Sequence, residues 1–582
     1  MNPLMQSPKQ TAAMHISASL PAELSLAVEK AQKAWETSRS TSRLWAKDPS
    51  LWTNSGEEQW LGWLDIVNQQ LASAGKFQAL PAEVREDGFT HFVLLGMGGS
   101  SLCPEVFGLT FGAAKCTPQL LVLDSTDPAQ ARAVRAKIDP ARTLFCVSSK
   151  SGATLELHIF MRYFLDETRK AVGDRAGNHF ITITDPGSKL EEIAAELGFR
   201  RVYHGVPDIG GRFSALSDFG MVPHAAIGLD SEEFLARANE AVEACKLPAD
   251  LNPGVQLGMV LGVAARKFRR DKVTLICSHS IRDLGAWIEQ LIAASTGKEG
   301  LGLIPVDREP IADRRHYGDD RVFVYIRYHG DEDESVESHV AGLEKAGQPV
   351  VRMELDRLDD LGKAFFEWEF ATAVAGALIG INPFNQPDVE ASKVAARELT
   401  SAYEQTGAFS EEKPLFAQDG MKLFADPRNA EALSKDGAHT LGAHIRAHLD
   451  RLMPGDYFAL LAYIPMFPEH EAILSEIRRH VLEAKDVATV LGFGPRFLHS
   501  TGQAYKAGPN TGVFLQITCD DAEDVAVPGE KYTFGIVKAA QARGDFSVLA
   551  ARQRRALRIH LGKNVGKGLR KLSDLVCAAL AH

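Results

Sequence analysis

A run of hydroxyl side chains around a glycine is the first place where this sequence is suited to binding an anion. The segment VSSKSGATLE, residues 147–156, carries Ser149, Lys150, Ser151 and Thr154. It follows a short apolar run and precedes a helical pattern. Free backbone N–H groups and the positive end of a helix dipole therefore converge on it. One hydroxyl suffices to cap a helix, and this loop has several. The segment predicts a phosphate-binding loop.

Three more loops carry residues with chemical potential. In GMGGSS, Gly99 and Ser100 favour a sugar or phosphate contact over a dinucleotide site, because Ser101 stands where the third glycine of the fingerprint would be. In DIGGRFSALSDFG, Gly211 brings the backbone close to a neighbour and positions Arg212, although an ordinary surface arginine fits the pattern equally well.

The segment NPFNQPDVEASK predicts a helix start, with Gln386 at its entrance and Lys393 about two turns inside. Both side chains are then within reach of one ligand, while an exposed lysine on an ordinary helix is the simpler interpretation. In QLIAASTGKEG, Ser295 to Lys298 suggests a nucleotide loop, but Ile292 occupies the position that a Walker loop gives to glycine. That excludes an NTP site.

Composition and charge narrow the class of protein. A chain of 582 residues predicts two to four domains, and a formal net charge of -11 argues against nucleic acid or an anionic membrane as partner. The seven cysteines show no CxxC spacing, and the histidines form no HExxH motif, so we expect neither a metal nor a cofactor. Without an apolar leader or spanning segment, a cytoplasmic protein is expected.

Buried strands alternating with helices predict an α/β fold with parallel, doubly wound sheets. The expected order is an N-terminal helical segment (1–89, its first 20 residues a flexible tail), a first α/β domain (90–230), a second (231–402) and a C-terminal α/β module (403–582). Asp127 with Pro128, and Asp185 with Pro186, each predict an N-cap followed by the first residue of a helix.

Taken together in order and spacing, GMGGSS, SSKSGATLE, GGRFS, STGKEG and NQPDVEASK resemble the phosphoglucose isomerase family. The likeness covers about residues 90–560. With GPRFLHSTGQAYKAGPNTGVFLQIT near its end, the chain is most similar to the isomerase part of fused transaldolase/phosphoglucose isomerase proteins. The resemblance implies two sugar-isomerase (SIS-type) domains, a sugar phosphate as small-molecule partner, no metal, no cofactor and a homodimer. Residues 231–270 and 359–400 are the expected dimer surfaces.

The resemblance also implies roles for individual residues in the interconversion of glucose 6-phosphate and fructose 6-phosphate through a cis-enediol. Arg212 stabilises the enediolate, and His316 with Lys393 opens the sugar ring. The implied substrate-binding residues are Gly99, Ser100, Ser149, Lys150, Ser151, Thr154, Gly211 and Gln386.

The chain departs from the family pattern at one position. The family has Glu-Ser-x-Gly-Lys, with the glutamate as the proton-transfer base, whereas Ala294 precedes Ser295 here. Alanine cannot carry a proton, so three alternatives stay open: an impaired isomerase, a sugar-phosphate-binding module or sensor that has lost catalysis, and an isomerase for a related sugar phosphate. Glu289 is predicted to point elsewhere on the helix, and Glu299 substitutes only if the loop is re-registered. His499, Lys506 and Asn510 lie in a functional-looking loop without an assigned role.

Overall fold

The structure, a computed structural model, describes residues 14–113, 117–387, 389–434 and 439–581. Residues 1–13 of the predicted tail and Cys116 lie outside the described residues. The predicted tail is wrong for residues 15–19, which form a strand that pairs antiparallel with a strand of the second sheet. Backbone hydrogen bonds to this distant strand stabilise a pentapeptide whose own pattern is too short to identify it. The N-terminal elements are β1 (His15–Ser19), α1 (Ala22–Thr37), α2 (Ser40–Trp45), α3 (Ile66–Ala72) and α4 (Gly75–Glu86).

The first sheet is parallel, with its strands in the order β3-β2-β4-β5-β6. Its central strands are buried on both faces, as continuous apolar runs in a covered sheet should be. Its elements are β2 (His91–Gly96), α5 (Leu102–Phe111), β3 (Gln119–Leu123), α6 (Pro128–Lys137), β4 (Thr143–Ser148), α7 (Leu155–Val172), β5 (Phe180–Thr184), α8 (Lys189–Glu196) and β6 (Arg201–His204).

Of the two predicted Asp-Pro helix starts, one is confirmed and one is wrong. Asp127 accepts hydrogen bonds from the N–H groups of Ala129 and Gln130 and caps α6. Helix α8 begins only at Lys189, capped by Ser188, because Gly187 turns the chain through positive φ directly after Pro186. Asp185 is thereby freed from capping.

The second sheet adds β1 to four parallel strands in the order β1-β10-β9-β7-β8. Helix α14 is buried along nearly its whole length against α10 and α11, so this chain's own helices cover much of the segments predicted to form a dimer surface. The elements are α9 (Asp218–Ala226), α10 (Ser231–Ala244), α11 (Pro253–Phe268), β7 (Lys272–Cys277), α12 (Leu284–Thr296), β8 (Ile304–Val306), β9 (Arg321–Tyr328), α13 (Glu334–Lys345), β10 (Val350–Leu355), α14 (Leu361–Ile379) and α15 (Val389–Thr406).

The third sheet has the order β11-β12-β16-β15-β13-β14, and its last four strands are parallel. Val527 and Phe534 pack on the first sheet's core, while Tyr457 packs with Ile304 of the second sheet. The elements are β11 (Phe416–Gln418), β12 (Met421–Phe424), α16 (Pro427–Ser434), α17 (Leu441–Leu449), β13 (Tyr457–Tyr463), α18 (Pro468–Lys485), β14 (Ala488–Phe493), α19 (Gly502–Ala507), β15 (Gly512–Thr518), α20 (Phe534–Ala551), β16 (Arg555–His560) and α21 (Val565–Leu580).

The fold is therefore mixed α/β with parallel sheets, as the sequence predicts. Within the part of the chain that the structure describes, no helix has the length and hydropathy needed to cross a bilayer.

Candidate functional site

A cavity of about 320 Å³ opens at the carboxyl ends of β2 and β4, where parallel sheets characteristically bind ligands. We call it the first-sheet cavity. It gathers loops from the first and second sheets and from the C-terminal region. Ten residues predicted from the sequence line it, namely Gly99, Ser100, Ser149, Lys150, Ser151, Thr154, Gly211, Arg212, Gln386 and Lys393.

One end of the cavity is a cradle of hydroxyl and N–H groups. Ser149 Oγ accepts from the N–H of Gly152, a residue in the left-handed region at φ +65°. Thr154 is the N-cap of α7 but forms no side-chain capping bond, so the first N–H groups of this helix stay available for an anion. The buried Ser148 hydroxyl has no hydrogen-bond partner among the described residues. A phosphate group would satisfy these donors.

Lys150 contacts an acid at the same end. Its Nζ lies 2.5 Å from Asp185 Oδ2 and donates to the carbonyl of Pro207 at 2.8 Å. The charge of this lysine is therefore largely compensated within the protein. The groups that the cradle offers to an anion are therefore mainly hydroxyls, backbone N–H groups and the helix dipole.

The loop at Gly99 approaches the loop before Arg212 so closely that no side chain fits between them. A Cβ built on Gly99 would lie 2.0 Å from the carbonyl oxygen of Gly211, whereas a Cβ on Gly211 meets no atom within 4 Å. The glycine at position 99 thus allows the two loops to meet.

Gly99→Ala is expected to lower the denaturation midpoint, corresponding to about 1–3 kcal/mol of unfolding free energy, because the added methyl group forces the loops apart. Gly211→Ala is the matched control from the same cavity wall and is expected to leave the midpoint unchanged. Urea unfolding followed by tryptophan fluorescence measures both. Equal denaturation midpoints for the two variants would contradict the close approach of the Gly99 loop to the Gly211 loop.

Arg212 is buried where these loops meet the second sheet. It lies in the 3-10 turn Gly211–Phe213 and donates from Nε to Ser295 Oγ at 2.7 Å. A terminal nitrogen donates to the carbonyl of Pro383 at 2.6 Å. Burial lowers the pKa of Arg212 to about 9, so the guanidinium stays charged at neutral pH. Among the described residues it forms no ion pair, which leaves a buried cation available for a negative charge on a ligand.

Ala294 lies on the cavity side of α12. It is one turn beyond Gln290, a cavity-lining residue, and therefore shares the same helix face. It also precedes Ser295, the partner of Arg212, and only 2% of its surface is exposed. A carboxylate at position 294 would point toward the cavity and the uncompensated guanidinium.

His499 enters the cavity from the C-terminal region. It lies in the 3-10 turn Arg496–His499 after β14, and its Nε2 is 2.9 Å from Glu156 Oε1. Glu156 also accepts a hydrogen bond from Gln541 Nε2 at 2.7 Å, and Gln290 donates to the carbonyl of His499. Glu156 thus holds the imidazole of His499, Gln541 holds Glu156, and Gln290 holds the backbone of the histidine.

Whether the Glu156 carboxylate is ionised determines which ring nitrogen of His499 carries a proton. Burial raises the pKa of Glu156, but the charge and hydrogen bond of His499, with a smaller effect of Lys393, more than offset this, and the pKa lies below its usual value. An ionised carboxylate only accepts hydrogen bonds, so Nε2 carries the proton. Nδ1 is then the ring nitrogen that can exchange a proton with a ligand.

The structure does not bring His316 to the cavity. It lies in the turn Arg314–His316, where its Nδ1 is 2.8 Å from Asp486, and it does not line the first-sheet cavity. The prediction relied on its sequence distance from Ala294, but the chain leads this loop to the outer side of α18. His499 is the cavity histidine, and the sequence reasoning left it without a role.

Neither Glu289 nor Glu299, the two alternative carboxylates, lines the first-sheet cavity. Glu289 lines a different cavity beside Asp307, and burial followed by the charge of Asp307 raises its pKa well above the usual value. Glu299 is exposed and does not line the first-sheet cavity. Glu156 was also missed, although it ends the quoted segment 147–156, because its partner is far away in sequence. No metal-binding group of His, Cys, Asp or Glu is found among the described residues.

Comparisons with known proteins agree with this arrangement. The model of the family described as phosphoglucose isomerase matches residues 81–301. A glucose-6-phosphate isomerase of Rubrobacter xylanophilus is 30% identical over 360 residues, which cover 53% of this chain and 82% of that protein. A probable glucose-6-phosphate isomerase of Natronomonas pharaonis is 31% identical over 369 residues, covering 55% and 83%.

A solved structure supports the fold. The crystal structure of a hypothetical protein from Thermus thermophilus matches with a TM-score of 0.55 at 24% identity, covering 66% of this chain and 99% of that one. At this identity the likeness concerns the fold alone.

Proposed function

The chain belongs to the phosphoglucose isomerase family, and on that premise we propose that the first-sheet cavity interconverts glucose 6-phosphate and fructose 6-phosphate. The observation that carries the proposal is the His499–Glu156 pair, with its 2.9 Å hydrogen bond, in the same cavity as a phosphate-type cradle and a buried, uncompensated arginine. Binding alone does not require an oriented acid–base pair.

At the cradle end, the phosphate accepts hydrogen bonds from Ser149, Ser151 and Thr154 and from the first N–H groups of α7. The sugar carbons then extend past Gly99 and Ser100 toward Arg212. Gln386 contacts Arg212 through Oε1 at 3.5 Å and borders the same path.

At the other end, ring opening needs a proton delivered to the ring oxygen and a proton removed from the C1 hydroxyl. His499, with Glu156 fixing its tautomer, and Lys393 on α15 are the groups we assign to this step. The next step removes the C2 proton and returns a proton to C1, while Arg212 stabilises the enediolate oxygen. The family's carboxylate for this step is replaced by Ala294, so we expect slow turnover.

A coupled assay tests this function. The chain is incubated with fructose 6-phosphate, and the glucose 6-phosphate formed is consumed by an NADP-dependent dehydrogenase. Mannose 6-phosphate, as competitor and as alternative substrate, tests an isomerase for a related sugar. Slow but saturable formation of glucose 6-phosphate is expected. No turnover above buffer, either by this chain or by Ala294→Glu, would overturn the isomerase.

The methyl group at position 294 favours one second candidate, a sugar-phosphate-binding protein without turnover. Such a protein would bind the sugar phosphate in the same cradle but would not isomerise it. This candidate requires that the bound sugar keeps its C2 proton and its anomeric form. The predicted homodimer and cytoplasmic location stay predictions.

Removing the hydroxyls is expected to weaken binding under either function. Ser149→Ala with Thr154→Ala should reduce the affinity for 6-phosphogluconate by about 10²- to 10⁴-fold, since each of the two hydrogen bonds to a charged group contributes about 1.5–3 kcal/mol. Titration calorimetry measures this. Ser335→Ala, an exposed serine at the start of α13, is the control and should bind as the unsubstituted chain does. Unchanged affinity in the double variant would place the phosphate elsewhere.

A further inference from the structure

The C-terminal region contains a second cavity of about 540 Å³, separate from the first-sheet cavity. We call it the third-sheet cavity. It opens beside Tyr463, Thr518 and His560, the last residues of β13, β15 and β16. The chain leaves β13 toward β14 on one side and β15 toward β16 on the other, so β13 and β15 form a topological switch point. Ligands of open parallel sheets bind at such points.

Two arginines in this cavity hold a single carboxylate. Arg558 donates to Glu412 Oε1 at 2.8 Å, and Arg543 Nε lies 2.9 Å from Glu412 Oε2. The Arg558 side chain is 4% exposed, and its guanidinium carbon lies 4.3 Å from the ring centre of Phe424. Two positive charges thus face one negative charge, and stacking fixes the orientation of the more buried arginine.

The carboxylate belongs to a segment that has no regular structure. Residues 408–415 connect α15 to β11, and most of them are at least partly exposed. Beyond Glu412, Arg543 contacts this segment through Phe409, over whose ring it lies at 4.8 Å, and through the carbonyl of Ser410 at 2.9 Å. Phe409 also packs on the ring of Tyr403 at 5.2 Å, and the N–H of Leu415 donates to the carbonyl of Leu423, so both ends of the segment are attached. The stretch around Glu412 between them is at least partly exposed and can leave the arginines without disturbing the sheet below.

Two other charged groups that line the cavity are paired with acids other than Glu412. Lys538 contacts Asp127 at 2.8 Å and also Asp521, and His560 lies 3.2 Å from Asp520. Lys422 on β12 is exposed and adds a further positive charge to the lining of the cavity. Glu411 and Asp521 also line the cavity, so its overall charge is close to balanced. Displacing Glu412 leaves the two guanidinium groups without a paired carboxylate among the described residues.

We propose that the third-sheet cavity binds a small phosphorylated molecule, whose phosphate sits between Arg543 and Arg558 in place of the Glu412 carboxylate. A phosphate dianion carries two negative charges and can neutralise both guanidinium groups. The single carboxylate of Glu412 neutralises only one of them. The cavity volume is that of a small-molecule pocket and leaves room for an organic remainder against Tyr463 and Phe424. Glu412 acts as an internal competitor for this ligand.

The site is tested with inorganic phosphate as the probe in the Ser149→Ala, Thr154→Ala background, which weakens the first-sheet cradle. Calorimetry is expected to find one phosphate site in this background. Adding Glu412→Gln should raise its affinity about tenfold, because the neutral amide competes less for the arginines. Adding Arg543→Gln, a change at a partly exposed side chain, should lower the affinity at least tenfold in a protein with an unchanged melting profile.

Arg169→Gln, an exposed arginine on α7, is the charge-matched control and should leave phosphate binding unchanged. The proposal is overturned if the background variant binds no phosphate, if Glu412→Gln leaves the affinity unchanged, or if Arg543→Gln and Arg169→Gln behave alike. None of these outcomes depends on isomerase activity, so the two proposals fail separately.

Discussion

Ala294→Glu is expected to raise the rate of fructose 6-phosphate isomerisation by about 10²- to 10⁴-fold, the usual contribution of a positioned general base. The position lies on the face of α12 that Gln290 presents to the cavity, next to the serine that contacts Arg212. A glutamate there is one helical turn from a cavity-lining residue, so its longer side chain is expected to reach the cavity. Deuterium uptake at C1 and C2 in D₂O, measured with the coupled assay, reports the C2 proton transfer directly.

The same substitution is expected to give Arg212 a charged partner. The guanidinium is buried and, among the described residues, free of ion pairs, so its burial is at present offset by neutral acceptors only. A nearby carboxylate raises the pKa of the arginine and stabilises both charges in the folded state. The denaturation midpoint should therefore rise together with the rate.

Ala294→Gln separates the base from the volume of the side chain. The amide has almost the size of the carboxylate, forms hydrogen bonds with Arg212 and accepts no proton at neutral pH. We expect no gain in rate from this control. A rate gain equal to that of Ala294→Glu would show that the added side-chain volume, and not a base, accelerates the reaction. If neither variant increases the rate, position 294 takes no part in the mechanism.

Local patterns made the phosphate cradle predictable. Its hydroxyls, its glycine and the helix N-terminus lie within residues 148–155, so a single strand–loop–helix signal defines them. The parallel sheets were predictable for a similar reason, because strands buried on both faces read as unbroken apolar runs. The Gly99 loop was assigned a sugar or phosphate contact from its own pattern, whereas the Gln386 loop was assigned to the site only through the resemblance.

Long-range pairing limited the rest. His499 and Glu156 are 343 residues apart, and no periodicity in either segment points to the other. Strand β1 was missed because its partner β10 lies more than 300 residues away. Asp185 looked like a helix cap, but its side chain is bound to Lys150 across the sheet edge. In each case a tertiary contact outweighed the local signal.

His499→Ala is expected to remove ring opening, a step that does not require a side chain at position 294. Exchange between the α and β anomers of glucose 6-phosphate measures ring opening and closing alone, and two-dimensional exchange NMR follows it at equilibrium. The unsubstituted chain should accelerate this exchange even though slow isomerisation is expected with alanine at position 294. His499→Ala should reduce the exchange by about 10²- to 10⁴-fold. His316→Ala is the control, because His316 pairs with Asp486 outside the cavity.

Glu156→Gln distinguishes a catalytic histidine from one that only fills space. The amide retains the shape of the carboxylate but no longer fixes the proton on Nε2 of His499, and a loss of about 10²-fold or more in anomer exchange is expected. The lowered pKa of Glu156 means that the carboxylate stays ionised as the pH falls through the usual carboxyl range. Its protonation should therefore reduce the exchange only at lower pH. Full exchange in His499→Ala would assign ring opening to Lys393, whereas full exchange in Glu156→Gln would show that Glu156 does not set the proton position on His499.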